Sequence, residues 1–394
     1  MALLHYTAPP VTGGVEAILG EHRRLLTRAG HDVQLLAGRG DATLVPELDS
    51  RHPEVEALYE ALRRGQAEHS AFESLRERIK QKLAPLLADR DLVIAHNVAT
   101  MPFNLPLAAA LAGGPWPVLH WVHDLAWLNA HYRAFHREGE PYDLLHRAQP
   151  DAAYVAISEV RGRDLQQLLG VEAEVIPNGI DFDQFLGIRP ATRSLLRAAG
   201  LDRADPLVLV PLRVTRRKRL ELALEAAALL RERLPRLMLA VSGPLGPHAG
   251  DNRNYQQELF ELRARLELDD VVRFLHEQAP AGAPHPVDDA TIADLYRVAD
   301  VVLLPSEAEG FGLPVIEAAA VRAPLVCTDL EFLREIGGAG IHAFPVGAGA
   351  DSVAMAVTAA LAEPLVAQRR RVADTYSWDR ILPRIEAAVE KAIA

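Results

Sequence analysis

Short apolar runs of strand length alternate with amphipathic helical stretches through most of the chain. Near-continuous apolar strands separated by helices are typical of parallel sheets that are covered on both faces. The pattern therefore predicts an α/β protein, and two series of such units predict two doubly wound domains. The predicted strands are DVQLLA, DLVIAH, VLHWVH, AAYVAIS and AEVIPN in the first half, and LVLVPL, LMLAVSG, VVRFLH, DVVLLPS and PLVCTD in the second.

The boundary between the two series is predicted within NGIDFDQFLGIRPATR, where a turn and then a proline precede a new helix. We expect a first Rossmann-like domain over 1–183, a second over 184–376, and a final amphipathic helix within 377–394. A length of 394 residues suits two domains of ordinary size. Residues 47–90 are predicted to form additional helices, and AGAPHPVDDA at 281–290 an exposed loop.

Composition narrows the classes of function. The chain is 49% hydrophobic and 24% charged, and its net charge of −11 is concentrated in the first half. This acidity makes nucleic acid a poor partner and weakly disfavours an anionic lipid surface. The single cysteine, Cys327, excludes a disulfide framework and a four-cysteine metal site, and we expect it to be buried and inert. No signal peptide or membrane-spanning stretch is recognisable, so a cytoplasmic protein is expected.

One segment, PSEAEGFGLPVIEAAA, places two glutamates eight positions apart around a glycine loop. A predicted strand precedes the loop and a helix follows it, so Gly310 and Gly312 should lie at the ligand-binding edge of a parallel sheet. Free N–H groups at the start of the helix favour phosphate. An exposed Glu309 would repel phosphate but accept hydrogen bonds from sugar hydroxyls, and Glu317 could hold a ribose. The alternative is a capping carboxylate and a solvated helix residue.

A basic turn follows another predicted strand, within PLRVTRRKRLELALEAAALL at 211–230. It contains Lys218, one of only four lysines, and Arg213 five positions earlier. A guanidinium gives bidentate contacts and an ammonium a compact charge, and a diphosphate can use both. The alternative is a solvated basic turn. No role is assigned to Arg216, Arg217 or Arg219.

The glycine-loop segment resembles the E-x7-E element of the retaining nucleotide-sugar glycosyltransferases of family four, which have the GT-B fold. The resemblance continues in the family's order through TGGVE, VHDL, VIPNGID, RVTRRK and SGP, and it covers nearly the whole chain. It implies two Rossmann-like domains that face a cleft, and a C-terminal helix that crosses back to the first domain. One departure is Arg219, which stands after the lysine where many relatives have glycine.

The resemblance implies a role for each matching residue. Glu309 would hold donor-sugar hydroxyls beside the reacting centre, and Glu317 would hold the ribose. The diphosphate leaving group would lie between Arg213 and Lys218. His123 and Asp124 would lie on the acceptor side, and His123 joins Glu309, Arg213 and Lys218 as a catalytic candidate. The remaining predicted donor contacts are Gly13, Gly14, Gly243, Gly310, Phe311, Gly312 and Leu313.

The implied reaction moves a hexosyl group from a nucleoside diphosphate sugar to an acceptor hydroxyl with retention of anomeric configuration. No residue is an obvious covalent nucleophile, so the resemblance implies front-face departure and attack, with the leaving phosphate taking the acceptor proton. We expect no cofactor and no metal ion, because the D-x-D of Asp181 and Asp183 lies in the turn between the domains. A small or soluble acceptor is favoured over a lipid, while the sugar, the base and the oligomeric state stay open.

Two alternatives to glycosyl transfer stay open at this point. A sugar-nucleotide epimerase or a phosphorylase could share the fold, and hydrolysis of the donor without a glycoside product would favour the former. A non-catalytic sugar-nucleotide-binding relative would have no need of a diphosphate clamp beside Glu309. Three further histidines, His5, His96 and His120, lie at or near predicted strand ends and are interpreted as core or supporting residues.

Overall fold

The chain divides into two compact units, one formed by Met1–Ile180 with Tyr376–Ala394 and the other by Asp181–Thr375. We call them the first and second units. The computed structural model describes residues 1–244, 249–278, 287–309 and 311–393, and for 249–251 the backbone only. Most of the predicted loop at 281–290 lies outside the described residues. The predicted boundary after residue 183 lies close to the observed division.

The first unit contains a parallel sheet of seven strands in the order β3-β2-β1-β4-β5-β6-β7. Its strands are β1 (Ala2–Leu4), β2 (Gln34–Ala37), β3 (Thr43–Leu44), β4 (Val93–His96), β5 (Val118–Val122), β6 (Ala153–Ala156) and β7 (Glu174–Val175). Its helices up to residue 169 are α1 (Gly14–Arg28), α2 (Pro53–Arg64), α3 (His69–Leu87), α4 (Leu105–Ala112) and α5 (Glu159–Leu169).

The second unit contains a parallel sheet of six strands in the order β10-β9-β8-β11-β12-β13. Its strands are β8 (Leu207–Val210), β9 (Met238–Val241), β10 (Val272–Phe274), β11 (Val301–Leu304), β12 (Leu325–Thr328) and β13 (Ile341–Phe344). Its helices are α6 (Phe182–Phe185), α7 (Pro190–Ala198), α8 (Leu220–Arg231), α9 (Ala249–Arg265), α10 (Asp289–Val298), α11 (Leu313–Val321), α12 (Glu331–Gly337), α13 (Ala350–Leu361) and α14 (Pro364–Tyr376).

The last helix, α15 (Trp378–Ile393), packs into the core of the first unit. Successive strand residues face opposite sides of a sheet, so Leu4 joins the core beneath α2, α3 and α4, while Leu3 joins the core shared with α1 and α15. Trp378 and Ile381 of α15 are buried, and full burial of such a side chain stabilises by about 1.5–3 kcal/mol. A Cβ at Gly179 would lie 2.6 Å from the Trp378 ring, so the glycine of the PNGID segment lets the chain pass this helix.

The predicted fold class is confirmed: both sheets are doubly wound, and the C-terminal helix returns to the first unit. All ten predicted strands are present, and Cys327 is buried in β12. The sequence pattern missed β1, β3 and β13. Among the described residues no single helix is long and apolar enough to cross a membrane, whereas the bent pair Ala350–Leu361 and Pro364–Tyr376, 75° apart, could do so by length and composition alone.

Candidate functional site

The order in which successive strands are added to the second sheet reverses between β8 and β11, and we call this place the reversal point. These strands are hydrogen-bonded neighbours, yet β8 continues to β9 on one side while β11 continues to β12 on the other. An open α/β sheet binds its ligands at the carboxyl ends of such strands, because the loops there diverge and leave a crevice. The basic turn follows β8 and the glycine loop follows β11, so the topology brings the two predicted donor-binding segments together.

Lys218 and Glu309 meet at this point as a buried ion pair. The Lys218 Nζ contacts Glu309 Oε1, and the two side chains are only 9% and 8% exposed. The same carboxylate oxygen accepts a hydrogen bond of 2.6 Å from Ser306 Oγ, and Ser306 is fully buried at the end of β11. The expectation of an exposed Glu309 is therefore wrong, because two partners draw the carboxylate inward. Lys218 is likewise not the solvated charge of the alternative interpretation.

Arg213 lies on the same loop as Lys218, and its side chain is exposed. It forms no hydrogen bond or ion pair within the described part of the chain. The backbone of its loop is packed against Gly243, where a Cβ would overlap Leu212 and lie 2.6 Å from Arg213 N. The loops after β8 and β9 are also joined by a hydrogen bond of 3.0 Å from Val214 N to Pro244 O. Gly243, a predicted donor contact, thus also fixes the backbone that carries Arg213.

The turn itself requires an unusual backbone conformation at Arg219. This residue has φ 48° and ψ 47° and lies between the short 3-10 turn Arg216–Lys218 and helix α8. Only glycine enters this left-handed region without a steric cost, which is about 1–2 kcal/mol for other residues. The position is therefore one where glycine fits best, and the arginine keeps the turn while carrying that strain.

The glycine loop leads into helix α11. Gly312 caps this helix with φ 89°, and a Cβ there would lie 2.7 Å from Leu333 Cδ2. Phe311 and Leu313 are 59% and 60% exposed, so two large apolar side chains flank the capping glycine at the surface. Gly310, also a predicted donor contact, lies outside the described residues.

Glu317 lies one turn into α11 and is exposed. Its Oε2 accepts a hydrogen bond of 2.6 Å from the Tyr296 hydroxyl, and Tyr296 is buried in α10. Burial, and then the bond to Glu317, raise the pKa of Tyr296 well above its usual range, so the tyrosine remains a donor. One carboxylate oxygen of Glu317 is thereby fixed from within the protein, which limits the orientations open to the exposed group.

The first unit has its own reversal point between β1 and β4, and the TGGVE segment lies beside it. Glu16 accepts a hydrogen bond of 2.5 Å from Thr7 Oγ1, and its carboxylate lies over Gly13, where a Cβ would overlap it. A Cβ at Gly14 would meet no atom within 4 Å. The atoms that a Cβ at Gly13 would meet are the end of a flexible side chain, so packing within the described part of the chain requires glycine at neither position.

His123 and Asp124 follow β5, the next strand of the same sheet. Both backbone N–H groups donate to Asn97 Oδ1, at 3.1 and 3.0 Å, and the ring Nε2 of His123 lies 3.3 Å from His96 Nδ1. Burial, with a further contribution from His5, lowers the pKa of His123 to about 4, so the ring is neutral at pH 7. Asp124 Oδ1 accepts from Leu125 N and lies 3.8 Å from Arg161 Nη1.

Two arrangements bear on the expectation of no metal ion. In the D-x-D, Asp181 Oδ1 caps helix α6 by accepting from Gln184 N at 2.9 Å, which is a structural use of that carboxylate. Elsewhere in the described chain, ligand atoms of Glu138, Asp143 and His146 lie within 4.8 Å of one another. The Arg147 guanidinium lies 3.0 Å from Asp143, and this positive charge disfavours a cation there.

Sequence reasoning missed four residues that hold the predicted ones in place: Ser306, Tyr296, Asn97 and Glu16. His96 was interpreted as a core or supporting residue, and its ring contacts that of His123. Asn97 directly follows β4, and Ser306 lies two residues after the end of β11. Their position at the binding edge of a sheet was therefore a usable signal. Tyr296 lies on a helix with no motif around it, and only the packing of α10 beside α11 reveals its contact with Glu317.

Family comparisons agree with the division of the chain. Residues 12–184 match the family model described as glycosyltransferase family 4, and residues 193–376 match the model described as glycosyl transferases group 1. Between them the two models span most of both units. The chain is a family-four-like glycosyltransferase. The two doubly wound units and the returning helix of this glycosyltransferase are those expected of the GT-B fold.

The glycosyltransferase is similar to curated enzymes with different substrates in their names. It is 23% identical over 374 residues to mannosylglucosylglycerate synthase of Thermotoga maritima, covering 88% of this chain and 84% of that one. It is 32% identical over 299 residues to D-inositol 3-phosphate glycosyltransferase of Geodermatophilus obscurus, covering 72% of this chain and 63% of that one. The match therefore covers less than two thirds of the second relative's length.

Among solved structures, the chain is similar to a sucrose-phosphate synthase from Thermosynechococcus elongatus. The identity is 19%, the match covers 99% of this chain and 98% of that one, and the TM-score is 0.39.

Proposed function

We propose that the chain transfers a hexosyl group from a nucleoside diphosphate sugar to an acceptor hydroxyl, with retention of anomeric configuration. The observation that carries the proposal is the buried Lys218–Glu309 pair at the β8–β11 reversal point of the second unit. A site that collects Lys218, exposed Arg213 and the N-terminus of α11 suits a diphosphate, and the carboxylate beside them suits sugar hydroxyls.

The ion pair gives each partner a function with and without the donor. Without it, Lys218 compensates the charge of Glu309, which would be costly to bury alone. With the donor bound, the ammonium lies between the carboxylate and the diphosphate, and its charge stabilises the leaving group as the glycosidic bond breaks. Glu309 then accepts hydrogen bonds from donor hydroxyls through its remaining lone pairs. Glu317, oriented by Tyr296, is assigned to the ribose.

The first unit supplies the acceptor-side residues in this proposal. His123 and Asp124 are held there by Asn97, at the carboxyl end of β5. The names of two relatives contain inositol 3-phosphate and mannosylglucosylglycerate, which are small polar molecules, and the acidic first half of the chain also favours a small acceptor over an anionic lipid surface. The leaving phosphate takes the acceptor proton, and no metal ion is required.

The experiment that tests the proposal begins with thermal unfolding in the presence of UDP, GDP, ADP and their sugars. A ligand at a hundred times its dissociation constant stabilises the native state by about 2.7 kcal/mol, so one base should raise the melting temperature clearly. The matching sugar nucleotide is then incubated with small polyols and sugar phosphates, and the anomer of the fresh product is read by proton NMR. Absence of binding by every nucleoside diphosphate, or an inverted product, would contradict the proposal.

A further inference from the structure

Two residues at the end of β4, His96 and Asn97, contact both the ring and the backbone of His123. Asn97 accepts the backbone N–H of His123 at 3.1 Å, and the preceding residue, His96, places its ring Nδ1 3.3 Å from His123 Nε2. Asn97 has φ 54°, a left-handed conformation that asparagine tolerates better than most residues. Two consecutive residues at one strand end therefore control the position of a single side chain.

The orientation of the His96 ring is fixed by the residues packed around it. It is fully buried, and the rings of His22 and Trp121 lie 5.1 and 5.8 Å away between centroids. The His96 carbonyl accepts from His5 Nδ1 at 2.7 Å, which fixes its backbone as well. Burial, together with the neighbouring histidines, lowers the pKa of His96 well below its ordinary value, so the ring is neutral at pH 7.

A neutral imidazole carries one N–H, and the contacts decide which nitrogen of His96 has it. The Nε2 of His96 is buried and has no hydrogen-bond partner among the described residues. A proton on Nε2 would leave a buried N–H without an acceptor, which is more costly than a bare nitrogen without a donor. The proton therefore lies on Nδ1 and is donated to His123 Nε2. His123, whose Nε2 accepts, must then carry its own proton on Nδ1.

We propose that His96 is a positioning residue that holds His123 in the Nδ1–H tautomer, so that His123 meets the substrates as a neutral hydrogen-bond donor and not as a base. The inference rests on the proposed function, which assigns His123 to the acceptor side. A ring whose Nε2 is occupied, and whose Nδ1 bears hydrogen, has no lone pair to take the acceptor proton. Its N–H can donate a hydrogen bond to an oxygen of the acceptor, and in the proposed reaction the proton of the acceptor hydroxyl leaves with the phosphate.

Long-range proton–nitrogen NMR of protein labelled at histidine tests the tautomer directly at pH 7.5, with His123→Gln identifying the His123 signals. The expected result is a protonated Nδ1 and a bare Nε2 on His123 in the wild type. His96→Asn keeps an amide N–H near the position of the imidazole Nδ1–H, and should preserve the pattern. His96→Phe removes the donor and should move the proton wholly or partly to Nε2 of His123.

Activity provides the second measurement. His96→Phe should lower kcat about tenfold, the value of one hydrogen bond in the reacting complex, with less than a threefold change in the KM for the sugar nucleotide. His96→Asn should recover most of the rate. His120→Phe is the matched control, because His120 is a buried histidine of β5 whose Nε2 contacts Gln149 instead, at 2.7 Å. It should leave the His123 tautomer unchanged.

A wild-type spectrum with the proton on Nε2 of His123 would overturn the inference, and this spectrum decides even where His96→Phe fails to fold. An unchanged tautomer in a folded His96→Phe protein would overturn it as well. If no sugar nucleotide supports transfer, the proposed function fails, whereas the spectrum still shows which nitrogen carries the proton.

Discussion

Mild acid is expected to destabilise the first unit, because burial lowers the pKa of five of its histidines, His5 among them, and keeps these rings neutral. Burial lowers the pKa of His22 to about 3, those of His120 and His123 to about 4, and that of His96 well below its ordinary value. Both ring nitrogens of His22 lack hydrogen-bond partners in the described part of the chain, so no acceptor stands ready to stabilise a proton there.

The size of the effect follows from the protons that the unfolded chain binds and the folded chain does not. A histidine in the unfolded chain has a pKa near 6.5, so at pH 5.5 each of His22, His120 and His123 costs the folded state about 1.4 kcal/mol, and the three together about 4 kcal/mol. The lowered pKa values of His5 and His96 act in the same direction and add to this loss. Stability is unaffected well above pH 6.5 and falls as the pH drops from about 6.5 towards about 4. Domains are stable by about 5–15 kcal/mol, so the loss is a large fraction of the total.

Tryptophan fluorescence reports this loss selectively, because all four tryptophans lie in the first unit: Trp116, Trp121, Trp127 and Trp378. Urea unfolding at pH 7.5 and 5.5 should give a lower free energy of unfolding at the lower pH, by the amount above. His22→Phe removes one of these rings and should reduce the loss by about 1.4 kcal/mol. His69→Gln, at an exposed position, should leave the loss unchanged. Equal stability at both pH values would refute the reasoning.

Four further predictions concern the second unit and the reaction. Gly243→Ala should displace the backbone that carries Arg213 and lower stability by about 1–3 kcal/mol, measured by circular dichroism during urea unfolding; an unchanged midpoint would contradict the close packing. Arg219→Gly should leave that midpoint unchanged or raise stability by up to about 1 kcal/mol, since relief of strain outweighs the added freedom of the unfolded chain; a clear loss would argue against the left-handed conformation. Glu309→Gln should lower kcat by orders of magnitude yet strengthen nucleoside diphosphate binding a few-fold in calorimetry, because Lys218 loses its competing partner; turnover within threefold of wild type would contradict the assigned role. Activity should persist in excess EDTA, and recovery of a lost rate by magnesium or manganese alone would return the D-x-D to consideration.

Most of the fold follows from local pattern, and the failures have physical causes. Buried parallel strands such as LVLV at β8 and VVLL at β11 are continuous apolar runs, so their length and flanking turns identify them. β3 has only the two residues Thr43 and Leu44, and β13 is a four-residue segment interrupted by His342, so neither presents the continuous apolar run on which the prediction depends. β1 is a three-residue run at the very start of the chain and offers no flanking turn before it.

The candidate site was less accessible to sequence reasoning, because a motif specifies neighbours along the chain and not across it. The spacing of Glu309 from the glycines indicated a carboxylate beside a phosphate site, but the contact with Lys218 depends on β8 and β11 being adjacent in the sheet. His123 was selected through family resemblance, whereas its contact with His96 joins two strand ends. A residue whose role is to hold another one has no motif of its own.

Calorimetric titration of nucleoside diphosphates tests the central claim, that the β8–β11 reversal point holds a diphosphate. Lys218→Met and Arg213→Ala should each weaken binding of the preferred diphosphate at least tenfold, which corresponds to about 1.4 kcal/mol, and should leave binding of its nucleoside unchanged.

The double variant Lys218→Met with Glu309→Gln removes the ion pair as a whole, so a loss that persists there does not arise from an unpaired carboxylate. Arg216→Ala is the matched control: this arginine lies on the same turn but contacts Glu258, and its loss should change affinity less than twofold. Equal losses for diphosphate and nucleoside, or no loss in any variant, would contradict the account.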